Sequence, residues 1–246
     1  MKHKQSFEIK QLRHRLYALI ACEESQAECK AFRDLGWIAY SCDIQPCRPT
    51  GNPDWHIQGD VTPYLQGEHQ FRTQSGKLKK VPRWDLIIAH PPCTYICRVS
   101  SVQLHRDPDY CIWFNGKPKW INRDRFMKME DAVDFFYQCL EAKAMYVAVE
   151  NPQPMALAEL PQPSCYVEPY WFGNKYSKKT LYWLRNLPPI VAGAQKPNPK
   201  CYVRCSRGKY RSRTFTGVAQ ALAEQWTDYI VQDTLKIQNS KDNERD

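Results

Sequence analysis

The sequence lacks any apolar run of about 18 residues, the length that a bilayer-spanning helix needs, so no membrane span is expected. Its basic N-terminal stretch has no apolar core of the signal-peptide kind, and a cytoplasmic location is the expectation. A disulfide framework is also missing. The eleven cysteines are odd in number and scattered, which points to free thiols in a reducing compartment. Zinc-site spacing is missing too. Cys93 and Cys97 stand four apart, as do Cys201 and Cys205, with no Cys-x-x-Cys and no His-x-x-x-His, so no metal is expected. No internal repeat is visible, which excludes a solenoid or propeller.

The 246 residues show an ordinary globular balance, 43% hydrophobic and 25% charged, enough to bury a substantial core. The formal charge of +9 favours a polyanionic partner, nucleic acid foremost, over a protein that is merely basic. Residues 1–14 read as a mobile basic arm, 15–236 as a single domain and 237–246 as a polar tail.

Within the domain, apolar runs of strand length alternate with helical patterns. Leu16–Cys22, Trp37–Cys42, Trp55–Val61, Trp84–Ala89, Met145–Val149 and Tyr182–Leu184 read as strands. Ser25–Leu35 reads as a helix, begun by Ser25 and stopped by Gly36. Phe126–Ala142 and Thr216–Leu235 carry apolar residues at spacings of three and four and read as helices. This rhythm predicts an α/β fold with a doubly wound, mostly parallel, Rossmann-like sheet. Ligands bind such sheets outside the carboxyl ends of the strands. Those ends carry Glu23-Glu24-Ser25, Asp43, Asp60, His90-Pro91-Pro92-Cys93 and Glu150-Asn151-Pro152. Residues 94–125 and 185–213 lack periodicity and read as long basic loops, the first rich in aromatics, as suits phosphate contact and base stacking.

Two strand ends concentrate the chemistry. After Trp84–Ala89, two prolines stiffen the backbone and then present a thiol, Cys93, as a positioned nucleophile would need. After Met145–Val149 comes an acid, Glu150. Alone, Cys93 reads as a small hydrophobe and Glu150 as a cap or salt-bridge partner; together they form a nucleophile and acid pair.

With these motifs the chain resembles the cytosine-C5 DNA methyltransferase family, in particular its compact phage-type members. Pro91-Pro92-Cys93 matches the family's Pro-Cys loop and Glu150-Asn151-Pro152 its Glu-Asn motif. Asp43 matches the acid on the cofactor ribose, and Gly59-Asp60 the pair near the adenine. Lys178-Lys179 stand where the family has arginines, and Thr216-Gly217-Val218-Ala219 echo the closing helix. The glycine-rich first loop is replaced by Ala21-Cys22-Glu23-Glu24-Ser25, where a carboxylate would hold the cofactor amino group. The large target-recognition domain is missing, leaving 94–125 and 185–213 to replace it.

The resemblance implies a fold of the S-adenosylmethionine-dependent methyltransferase type. It implies that S-adenosylmethionine is held by Glu23, Glu24, Ser25, Asp43, Ile44 and Asp60, and that no metal is used. Cys93 would add to C6 of cytosine, Glu150 would serve N3 with a raised pKa, and Pro92 and Asn151 would position them. Arg98, Lys178, Lys179, Arg211 and Arg213 would contact DNA whose cytosine is flipped out or single-stranded. If phage-borne, the chain would act in the host cytoplasm. Two rivals are a same-fold pyrimidine-C5 enzyme using another donor or a nucleotide substrate, and a non-catalytic nucleic-acid-binding relative.

Overall fold

Short apolar runs become short buried strands. The computed structural model describes residues 12–193, 203–204 and 214–243. In chain order its elements are β1 (Tyr17–Ala21), α1 (Ala27–Asp34), β2 (Ile38–Asp43), β3 (His56–Gln58), α2 (Thr62–Leu65), β4 (Gln70–Arg72), β5 (Leu78–Lys80), β6 (Leu86–Ala89), α3 (Ser101–Leu104), β7 (Tyr110–Phe114), β8 (Lys117–Ile121), α4 (Arg123–Leu140), β9 (Tyr146–Asn151), β10 (Cys165–Val167), β11 (Tyr176–Ser177), β12 (Thr180–Arg185), β13 (Val203–Arg204) and α5 (Thr216–Asn243).

The protein is α/β. Seven strands form one sheet in the order β10-β12-β9-β6-β1-β2-β3. The neighbours from β9 to β3 are parallel, and β12 runs antiparallel to both β9 and β10. Strand order reverses at β1 and β6, the switch point at which doubly wound sheets leave a crevice. Both faces are covered, which explains continuous rather than alternating apolar strands. Ala18, Ile20, Leu86, Ile88 and Ala148 pack with α1 and α5, around Phe32, Leu222 and Trp226. Leu19, Ala21, Ile87, Ala89 and Val149 pack on the other side with α4, around Met129 and Phe136. Trp226 is fully buried, and its indole N–H donates to Pro188 O at 3.1 Å, so the largest core side chain has no stranded donor.

Several boundaries differ from expectation. Gly36, at φ +97, ends the turn after α1 as expected, but Ser25 is not the N-cap; Gln26 holds that position at φ 57. Residues 12–14 lie on the body instead of in a mobile arm: Leu12 packs on the core and Arg13 Nη2 donates to Asp228 Oδ1 at 3.0 Å. The polar tail is in part a continuation of α5, which reaches Asn243. The stretch 94–125 is not an irregular loop. It holds a 3-10 turn, α3 and the β7–β8 hairpin. No described helix is long and apolar enough to cross a membrane.

Candidate functional site

The carboxyl ends of β1, β6 and β9 meet at the switch point. His90 N donates to Ala21 O at 3.0 Å, which carries the β1–β6 pairing one residue past β6. Pro91 and Pro92 then turn the chain, and Asn151 Nδ2, at the end of β9, donates to Pro91 O at 2.9 Å. Asn151 is 1% exposed, so this bond sits in a dry setting and fixes the loop to the neighbouring strand. Cys93 O accepts from Ile96 N at 3.2 Å and Cys97 N at 3.0 Å, forming one helical turn. That turn is sewn to the segment after Glu150: Arg98 N donates to Gln153 O and Met155 N to Ile96 O, both at 2.8 Å. The Pro-Pro-Cys loop and the Glu-Asn strand end therefore form one rigid unit.

Cys93 is half-buried, and its thiol is coupled to that of Cys97, one turn on. The coupling moves the two thiols in opposite directions. Cys97 falls to about 5, with Ser100 assisting, while Cys93 is raised by the coupling, by burial and by the nearby charges of Cys97 and Glu150. The pair gives up its first proton readily and holds the second. Pro92 is exposed at the tip of the loop.

Sequence reasoning missed the partner of Glu150. His90 Nδ1 lies 3.0 Å from Glu150 Oε2, and His90 Nε2 lies 2.9 Å from Glu28 Oε2. One imidazole thus joins β6 to β9 and to the first turn of α1. The side chains are 13%, 15% and 0% exposed, so the bridge is nearly dry. Burial disfavours the imidazolium, but the charge of Glu28 and the bonds from both carboxylates hold His90 well above the usual histidine range. Burial pushes Glu150 up, and the His90 bond, the Lys178 charge and the His90 charge together pull it below the usual carboxylate range. A raised pKa for Glu150 is therefore not observed; it reverses because a cation sits on each side of the carboxylate. Tyr182, fully buried nearby, is pushed up by burial and by Glu28 and Glu150. Glu28 Oε1 and Asn151 Oδ1 are buried without a hydrogen-bond partner among the described residues. A small open cavity beside Glu150 is lined by Lys178, Thr180, Tyr182, Phe215 and Val218; Cys93 does not line it.

The expected cofactor loop turns tightly without glycine. Cys22 takes φ 60 and Gln26 φ 57, left-handed conformations that glycine adopts without strain. Glu23 faces inward and caps α1. Its Oε1 accepts from Glu28 N at 2.8 Å and its Oε2 from Cys29 N at 3.3 Å. Burial and the charge of Glu28 push Glu23 up to about 7. Ser25 Oγ donates to Glu23 Oε1 at 3.3 Å. Glu24 is held by Arg48, whose Nε lies 3.0 Å from both carboxylate oxygens. Asp43 Oδ1 accepts from Gln45 N at 2.8 Å, and its other oxygen takes no hydrogen bond from the described residues. Ile44 beside it is 72% exposed. Asp60 Oδ1 caps the start of α2 through Thr62 N and Oγ1 at 2.9 and 2.8 Å. Burial and the charges of Asp43 and Asp60 push the Cys22 thiol up to about 12, which places these three groups around one rim.

Among the cations expected to meet DNA, Lys178 faces Glu150 electrostatically, and its backbone N donates to Glu168 Oε2 at 2.8 Å. Lys179 Nζ lies 4.5 Å from the centre of the Tyr166 ring, and Arg98 is exposed. Arg211 and Arg213 lie outside the described residues. No group of three or more His, Cys, Asp or Glu among the described residues is arranged to hold a metal ion. Comparison with protein-family models and with curated proteins returns no match to this chain.

Proposed function

We propose that the chain is an S-adenosylmethionine-dependent methyltransferase acting on C5 of cytosine in DNA, with Cys93 as the nucleophile. The observation that carries this reading is the 2.9 Å bond from Asn151 Nδ2 to Pro91 O, which clamps the thiol loop of β6 to the acid-bearing end of β9 at the switch point. The sheet supports it. Numbered along the chain, its seven strands run 3-2-1-4-5-7-6, the doubly wound order with one reversed strand inserted near the edge.

The rim fits the cofactor in its donor set. Asp43 has a carboxylate oxygen open to ribose hydroxyls, Ile44 offers an exposed apolar face for an adenine, and Cys22 turns the backbone as a glycine would. Glu23 and Glu24 are occupied by α1 and Arg48, so they act by shaping the loop and by their charge. When bound, S-adenosylmethionine supplies the methyl group that C5 takes up.

Cys97, lowered to about 5, holds a thiolate at neutral pH; it takes the proton of Cys93 as the Cys93 sulfur adds to C6 and the C6–S bond forms. Electron density displaced by that bond moves toward N3. The proton needed there is held between His90 Nδ1 and Glu150 Oε2, and it can pass through the carboxylate without a solvent proton. After C5 loses its proton to a base, the C6–S bond breaks with the electron pair leaving on sulfur, and N3 gives its proton back to Glu150, restoring the ring. The base must leave the duplex stack, or come from a single strand, to reach this edge.

Nucleoside mass spectrometry of DNA incubated with the chain and S-adenosylmethionine tests the reading. One added methyl group on cytosine, abolished by Cys93→Ala, is expected. A 5-fluorocytosine oligonucleotide should trap a covalent adduct at Cys93. Methylation that survives Cys93→Ala would remove the covalent route.

A further inference from the structure

Between Cys93 and α4 lies a surface that this chemistry does not use. β7 and β8 pair around Asn115-Gly116, whose φ values of 50 and 70 give the two-residue hairpin turn favoured by the strand twist. The register sets Cys111 opposite Trp120 and Trp113 opposite Pro118, and alternation places these four on one face. All four are exposed, Trp113 at 76% and Trp120 at 61%. The opposite face anchors the ribbon: Ile121 is fully buried, and Lys119 Nζ lies 4.6 Å from the Phe114 ring centre. The outer face therefore carries two indoles and no charge.

Six of the fourteen large exposed hydrophobics among the described residues fall between Val99 and Met127. Such clustering marks an interaction site rather than scattered surface residues. The charge around it selects the partner. Residues 94–128 hold seven lysines and arginines against three aspartates. Exposed aromatic rings beside excess positive charge suit bases stacked on indoles and phosphates on cations. The face offers almost no groups to read base edges, so stacking there tolerates any sequence.

We propose that Trp113 and Trp120 form a stacking platform for unpaired bases of single-stranded DNA, with the exposed Lys117 at the hairpin tip for its phosphates. The choice of DNA rests on the function proposed above; the platform rests on the hairpin. The insert is tied to the residues after Cys93. Arg125 Nη2 donates to Thr94 O at 2.9 Å, and its guanidinium lies 4.5 Å from the Tyr95 ring centre. A strand stacked on the hairpin is thereby led toward the thiol loop.

The test is fluorescence anisotropy of the full chain with labelled oligothymidylate, which has no cytosine and so reads binding apart from methyl transfer. Trp113→Ala and Trp120→Ala should each weaken binding about tenfold, with Trp113→Tyr recovering most of it and the salt dependence unchanged. Lys117→Ala should lower the slope of log affinity against log salt by about one, and Lys119→Ala, on the opposite face, should leave it unchanged. Affinity of the double tryptophan variant within about twofold of the parent, on a protein with unchanged circular dichroism, would overturn the platform. So would loss of a dimer in sedimentation velocity with oligothymidylate affinity intact, since the face would then join two copies. Tighter binding of oligouridylate would overturn the choice of DNA. Tryptophan-dependent binding without any methylated cytosine would uphold the platform and sink the methyltransferase reading alone.

Discussion

Replacing His90 with alanine probes the most exposed weakness of this site, two buried carboxylates joined by one imidazolium. Among the described residues, His90 is the one side chain that hydrogen-bonds the Glu28 carboxylate, whose side chain is 0% exposed. Removing one partner from a buried ionic cluster costs about 3–5 kcal/mol, because the remaining charge has lost both water and its counter-ion. For a chain of this size that corresponds to a fall in Tm of about 6–20 °C. The pH dependence has a definite sign. His90 is raised in the fold, so its contribution is complete below the ordinary histidine value of 6.5 and is lost as pH rises through the folded value. Glu150 is lowered, so its contribution is present above the ordinary value of 4.5 and is lost as pH falls through the folded value. The bridge is therefore strongest near pH 4.5–6.5 and weakens above, with a slope of about 1.4 kcal/mol per pH unit while the histidine proton is bound only in the fold. Glu28→Gln combined with His90→Gln removes a charge together with its counter-ion. It should recover more than half of the loss and flatten the decline above pH 6.5. Urea denaturation from pH 5 to 9 measures all of this. A His90→Ala Tm within about 2 °C of the parent, or equal slopes for parent and double variant, would refute the bridge as a stabilising unit.

Other consequences are as direct. Cys97→Ser removes the partner that raises Cys93, so the pH midpoint of Cys93 alkylation, followed by mass spectrometry, should fall toward the ordinary thiol value of about 8.5; an unmoved midpoint would deny the coupling. Asn151→Ala leaves Pro91 O without its 2.9 Å donor and should cost about 1–3 kcal/mol in urea denaturation, with methyl transfer falling as the thiol loop loosens. Asp43→Ala should weaken S-adenosylmethionine binding in calorimetry about tenfold or more, for the loss of a charged hydrogen bond, while Tm stays within a few degrees. Glu23→Gln should remove a loss of stability between pH 4.5 and about 7, because a buried carboxyl whose pKa is raised makes the fold less stable as it ionises.

How much of this was legible follows from which forces act locally. β1, β2, β6 and β9 announce themselves because strands buried on both faces must be continuously apolar. α4 shows its period; the structure starts it at Arg123, capped by Asn122 Oδ1, which accepts from Arg125 N at 3.0 Å, and ends it at Leu140, two residues short of the expected Ala142. The β7–β8 hairpin was hidden because both of its faces carry aromatics, so no apolar and polar alternation appears. Cys93 and the Glu150-Asn151 end could be placed on one rim because sheet topology alone brings strand ends together. The Glu28–His90–Glu150 bridge could not. Its members lie 62 and 60 residues apart, and Glu28 reads as one more polar residue in the first turn of a helix. The direction of the Glu150 pKa was misjudged for the same reason: a carboxylate's proton affinity depends on cations that only tertiary packing supplies.

The distribution of charge is the strongest argument for one reading over its rivals. A chain of net charge +9 keeps acids at the ends of four of its five parallel strands, Glu23 and Glu24 after β1, Asp43 at the end of β2, Asp60 after β3 and Glu150 in β9, and the base after β6, His90, is paired with two carboxylates. A rim of this kind repels phosphate, so a site meant only to hold nucleic acid would place its cations there. It suits a ligand with positive charge and hydroxyl groups. Seven cations stand instead on the insert from Arg98 to Lys128, joined to the thiol loop through Arg125 and Thr94. Under the proposed function the two regions divide the work. The acidic rim attracts a sulfonium cofactor and turns the DNA backbone away from it, while the basic aromatic insert holds that backbone. A non-catalytic DNA-binding relative would have no use for the buried acids. A nucleotide-modifying enzyme would have no use for the exposed indoles of Trp113 and Trp120.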